Sequence, residues 1–167
     1  MDEALSNRRK AVTFNGPLEA GLRAVALLGA AHPRPFDLQR LVAFDYLLVH
    51  TGDIGGPSSL HPPAPLQSAE LLVRRKLVEQ ALLLMMARDL VQREFGADGI
   101  RYRAGENAAP FLSSLQSEYL TALKERAKWL VEALADHNEQ EFRAVMRQFF
   151  DRWVEEFQAA ERSMGEE

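Results

Sequence analysis

His50, Asp53 and His61 bracket a segment rich in glycine and proline, and two imidazoles with a carboxylate form the donor set of an open metal site. Spacings of three and eight residues across Gly and Pro match no metal-binding signature, however. The ordinary task of such side chains is to hydrogen-bond the backbone of an ordered loop. His50, Asp53 and His61 are therefore read as structural groups, with no metal expected. Gly52, Gly55 and Gly56 do not begin a phosphate cradle, because Pro57 follows where a Lys-Ser/Thr pair is needed. Asp45, within a helical stretch, is a candidate buried acid, but the sequence identifies no companion for it. No nucleophile with a base and no paired acids stand out, so neither catalysis nor a cofactor is expected.

Cationic residues form a second group. Arg74, Arg75 and Lys76 lie on one helix, and Arg93, Arg101 and Arg103 lie on the hairpin that follows it. In a DNA-binding protein, such groups contact phosphates while the helix meets base edges. Glu70, Glu79, Asp89, Glu94 and Asp98 are interspersed among them, which reads as a solvated surface of mixed charge. The helix also lacks a face rich in Asn, Gln and Ser. Contact with DNA through these six side chains is expected to be weak and mainly indirect. A third group is aromatic. Phe149, Phe150, Trp153 and Phe157 gather on one stripe, more apolar surface than one neighbouring helix covers. Phe142, Met146 and Phe149 are assigned to the core, and Trp153 and Phe157 to a partner or to self-association.

The elements that position these groups are legible from periodicity and stop signals. Residues 1–13 are a polar tail. Asn15 or Gly16 with Pro17 starts a helix carrying Leu18, Leu22, Val25 and Leu28, and Pro33 and Pro35 stop it. Asp37 caps a second helix with Leu38, Leu41, Val42, Tyr46 and Val49, which Gly52 is expected to end. Residues 51–67 are too rich in Gly and Pro for a regular element. Ile54, Leu60 and Leu66 nevertheless give this loop something to bury, so it is expected to be ordered on the helices. Ser68 caps a third helix. A hairpin follows, with Val91, Phe95, Ile100 and Tyr102 in its strands and Ala97-Asp98-Gly99 at its turn. Pro110 to Leu115 is a connection or a helical turn. A helix with Leu120, Leu123, Ala127, Leu130, Val131 and Leu134 comes next, and a last one starts at a capping box between Asn138 and Glu141.

This pattern predicts a mainly α fold: a winged-helix-like domain with one β-hairpin wing plus two C-terminal helices. The divisions are a tail over 1–13, a winged-helix-like core over 14–115 including the loop 51–67, a helical extension over 116–160, and a tail over 161–167. With 167 residues, 47% of them hydrophobic, the chain can bury roughly two-thirds of its unfolded surface as one domain. A net charge of −4 is not that of a protein that coats nucleic acid. The absence of cysteine excludes disulfides and thiolate chemistry. No apolar run is long enough for a membrane span, and the N-terminal residues lack the features of a signal peptide, so a cytoplasmic location without membrane contact is expected.

The string FDYLLVHTGDIGGPSSLHPPAP, residues 44–65, is distinctive. With SAELLVRRKLVEQALLLMMARDLV and GIRYRAGENAAPFLSSLQSEY, it resembles the small middle components of bacterial three-component ABC-ATPase systems, including Lamassu-type antiphage defence systems. The resemblance covers roughly residues 14–134 and is most specific in the loop; beyond Leu134 the chain is family-like only in being helical. It implies a non-catalytic adaptor beside an SMC/Rad50-like ATPase, with a third protein, often a nuclease, as effector. It transfers no catalytic motif. It does mark the loop from Asp45 through His50, Asp53 and His61 as a structural and contact signature. Two other readings remain open at this point. One is a winged-helix DNA-binding transcription regulator; the other is a metal-dependent hydrolase using His50, Asp53 and His61.

Overall fold

The computed structural model describes residues 16–62, 68–134, 136–149 and 162. Helix α1 (Pro17–Ala31) starts at an extended Gly16 with proline in its first turn. It buries Ala20, Ala24, Val25, Leu27 and Leu28. Leu18, expected on the inward stripe, is 55% exposed, because it lies in the first turn ahead of the first buried residue. The prolines at 33 and 35 end α1 but do more than stop it. They lead into a two-residue strand, β1 (Phe36–Asp37). A strand of this length is too short to show alternation and carries no signal in the sequence. Asp37 closes the strand and opens α2 (Leu38–Val49), its carboxylate accepting from the Arg40 backbone N–H at 2.8 Å.

Helix α2 ends before Gly52, at His50, and a 3-10 turn, Thr51–Ile54, carries the chain on. The left-handed residue that closes the turn is Gly55, with φ 78°, rather than Gly52. The loop is then tied down by several contacts. Thr51 Oγ1 donates to the Pro57 carbonyl at 2.7 Å, the Gly52 N–H to Ser59 Oγ at 3.1 Å, and the His61 N–H to the Val49 carbonyl at 3.1 Å. Ile54 and Leu60 pack against the core. These contacts seat residues 51–62 against the helices; Leu66 lies outside the described residues.

Helix α3 (Ser68–Met86) ends in a Schellman turn. Asp89 takes the left-handed conformation at φ 58°, and the Leu90 N–H donates back to the Met85 carbonyl at 3.1 Å. The hairpin follows as β2 (Val91–Gly96) and β3 (Gly99–Ala104), with Gly96 paired to Gly99 across a two-residue turn. β3 also pairs with β1, Tyr102 opposite Phe36, giving a three-stranded antiparallel sheet of order β1-β3-β2. Val91, Tyr102 and Ala104 face the core, but Phe95 and Ile100, opposite each other near the tip, are 74% and 44% exposed. The remaining helices are α4 (Ala108–Ser114), α5 (Glu118–Leu134) and α6 (Glu139–Phe149). The expected capping box forms at α6. Asn138 Oδ1 accepts from the Glu141 N–H at 2.8 Å, and Glu141 Oε2 accepts from the Asn138 N–H at 3.3 Å.

The result is the mainly helical, winged-helix-like arrangement, with a third strand added to the hairpin. Leu123, Ala127, Leu130 and Val131 of α5, and Phe142 and Met146 of α6, join the same core cluster as α1, α2 and α3. No helix among the described residues is long and apolar enough to cross a membrane.

Candidate functional site

Asp45 is the centre of a buried charged cluster where α1, α2 and α3 meet. Its stripe on α2 is otherwise apolar, with Leu41 and Leu48 one turn to either side, so the fold carries its side chain inward. Arg23 sits equally inside the buried stripe of α1, between Ala20 and Leu27. The two meet in a fork: Arg23 Nε lies 2.6 Å from Asp45 Oδ1, and Arg23 Nη2 lies 3.4 Å from Oδ2. Arg74 of α3 completes the set, its Nη1 2.5 Å from Oδ2. Asp45 and Arg23 are only 2% and 4% exposed.

A carboxylate this deep would ordinarily be pushed toward its neutral form by loss of water. The charges of Arg23 and Arg74, and their hydrogen bonds, outweigh that burial and hold its pKa below the usual carboxylate value. Burial likewise works against the Arg23 guanidinium, and Asp45 more than compensates, so its pKa is raised.

An aromatic ladder runs beside the cluster. The Arg74 guanidinium lies over the Tyr46 ring, 5.4 Å from its centroid. Tyr46 stacks at a tilt on His50 at 4.3 Å, and the His50 and His61 rings stand edge to face at 6.4 Å. His61 Nε2 hydrogen-bonds the Tyr119 hydroxyl of α5 at 2.9 Å. Burial first, then the positive charges of Arg23, His50 and Arg74, drive the His61 pKa down to about 4. His50 is also lowered, mainly by burial. These neutral rings tie the loop to the helices.

The structure thus brings Asp45, His50, His61 and Arg74 together and leaves Asp53 exposed on the 3-10 turn. Among the described residues, no group of three or more His, Cys, Asp or Glu side chains could hold a metal ion. Arg23 and Tyr119 were missed from sequence. The signal for Arg23 was present: a cation within an apolar stripe requires an anion in another one, and Asp45 is such an anion.

The cations assigned to DNA are placed differently from one another. Arg74 turns inward to Asp45, and Arg75 is 8% exposed, with its Nε 3.4 Å from Glu79. Neither presents a free guanidinium at the surface of α3, as the expected phosphate contact would require. On the wing, Arg103 pairs with Glu94 at 2.7 Å and Arg101 with Asp98 at 3.6 Å, while Arg93 lies over the Phe95 ring. Lys76 is exposed. A cavity of about 270 Å³ is lined by Arg34, Arg40 and Arg101, but Asp37 and Glu139 line it too and offset their charge. Trp153 and Phe157, the aromatic partner candidates, lie outside the described residues.

The model of the ABC-three component (ABC-3C) system Middle Component 2 family matches residues 13–156. The chain belongs to that family. The match runs past Leu134, further than the resemblance legible in the loop and third helix, and takes in α6. No curated protein and no solved structure matches the chain. As a middle component, the chain is an accessory part of a multi-component ABC-ATPase system.

Proposed function

We propose that this middle component is a non-catalytic adaptor that joins an SMC/Rad50-like ATPase to an effector, such as a nuclease, by protein–protein contacts. The setting is a Lamassu-type antiphage defence complex in the cytoplasm. One observation carries the choice of adaptor over DNA reader. Helix α3 uses Arg74 to neutralise Asp45 and keeps Arg75 against Glu79, while the wing tip offers the apolar pair Phe95 and Ile100. A surface of this composition favours protein over phosphate. DNA then reaches the complex mainly through the ATPase. Asp45, His50, Asp53 and His61 shape the loop side of the adaptor, and Trp153 and Phe157 extend its contact surface on the C-terminal side.

The test is co-expression of the full chain with the ATPase and the third component encoded beside it, followed by affinity capture and light scattering. A stable assembly, with the isolated chain binding short duplex DNA weakly and without sequence preference, supports the adaptor. Submicromolar, sequence-selective DNA binding by the isolated chain at physiological salt overturns it in favour of a transcription regulator. Stoichiometric zinc in protein purified without added metal favours the hydrolase reading instead.

A further inference from the structure

The outward face of α3 carries a seam that is complementary to itself. Leu72, Lys76, Glu79 and Leu83 follow one another at spacings of four, three and four, which keep side chains on one line along a helix. The buried face of α3 is a different one, formed by Val78, Ala81, Leu82 and Met85. Leu72 and Leu83 are 49% and 59% exposed, Lys76 is exposed, and the Glu79 side chain is 41% exposed. Val73, beside the seam, is 67% exposed.

The order of these residues has a symmetry. The midpoint between Leu72 and Leu83 is also the midpoint between Lys76 and Glu79. Two copies of α3 laid antiparallel about that midpoint place Leu72 against Leu83 of the other copy at each end. In the middle, Lys76 faces Glu79 of the other copy, twice. A two-fold contact requires such self-complementarity, and here both the apolar and the charged positions meet it. The Glu79 carboxylate can accept from Arg75 of its own chain and from a lysine across the axis, since it has two oxygens.

We propose that the chain forms a homodimer by antiparallel packing of α3 on α3 of a second copy. The charged pair at the centre fixes the antiparallel register, and the leucines supply the buried apolar area. The seam rises only about 16 Å along the helix, so the dimer is at the weak end of specific contacts, with a Kd on the order of 10 µM.

Sedimentation velocity of the full-length chain, over roughly 1–200 µM, tests this. The wild type should pass from monomer to dimer within that range. Lys76→Glu and Glu79→Lys should each be monomeric at the top of the range, since each places like charges across the axis. An equimolar mixture of the two should recover a 1:1 heterodimer, and the chain carrying both changes should dimerise like the wild type. Leu83→Arg, at an exposed position, should also give a monomer, and circular dichroism checks that each variant is folded. A wild type that stays monomeric overturns the proposal. So does dimerisation of both single charge variants at wild-type strength, or a mixture that remains monomeric.

Discussion

The Asp45 carboxylate is buried away from bulk solvent, and the Arg23 and Arg74 guanidiniums pair with it there. Substituting Asp45→Asn leaves both cations facing a neutral amide, and Arg23 is itself buried. Breaking a buried pair in this way should cost about 3–5 kcal/mol, read as a lower urea midpoint at constant slope. His61 sets a separate pH dependence. Its folded pKa is near 4, below the ordinary 6.5, so the fold favours the neutral ring. The unfolded chain binds a proton as pH falls through 6.5, whereas the folded chain does so only near 4. Stability should therefore drop between these values and lose nothing further to His61 below them. Because the ring is only partly buried, the loss should be on the order of 1–2 kcal/mol after screening. His50, also lowered by burial, acts in the same direction. Asp45, a depressed acid, loses its contribution only as pH falls through its folded value, below the ordinary 3.8. Urea unfolding at pH 7 and pH 4.5 should thus show a smaller difference for His61→Gln than for the wild type.

The wing is an element whose alternation is split between two tasks. Val91 and Tyr102 anchor it to the core, and Arg93, stacked on Phe95, and Ile100 project from its outer end. Two large apolar side chains near a hairpin tip contribute little to the fold, because they bury little area within the chain. Phe95→Ser with Ile100→Ser should change stability by less than ~1 kcal/mol while weakening capture of the ATPase or effector. Equal capture by this variant would remove the wing from the contact surface. The Asn138–Glu141 box at the start of α6 is the opposite case, a local motif spent wholly on structure. Asn138→Ala should lower stability by ~1 kcal/mol, seen in thermal melts, with no change in capture.

Among the described residues, one core cluster joins α5 and α6 to α1, α2 and α3. Phe142 and Met146 of α6 are buried in that cluster, and the sequence continues the same spacing through Phe149, Trp153 and Phe157. Trp153 and Phe157 are proposed as anchors for the ATPase, since aromatic side chains dominate such contacts, often at ~2 kcal/mol or more on truncation. Replacing both with polar residues should abolish docking and leave a folded chain. Unfolding, monitored by circular dichroism, would place them in the core instead. This assignment is separable from the α3 seam, because Lys76→Glu and Glu79→Lys alter self-association and leave these aromatics untouched.

Local chemistry was written in the sequence and survived folding. Asp37 and Asn138 cap their helices because a cap needs only a side chain and the backbone three residues on. The long helices follow from periodicity, the hairpin from a turn between β-rich runs, and the family from motifs read along the chain. The tertiary structure decided what depends on distant partners. β1 exists because β3 offers an edge to Phe36 and Asp37, which carry no strand pattern of their own. Arg74 points at Asp45 rather than outward because α2 and α3 bring residues 29 positions apart within hydrogen-bonding distance. Whether a charge is buried, and whether an apolar residue is core or surface, is settled by which elements pack over it. A linear sequence specifies the stripe; only packing specifies what covers it.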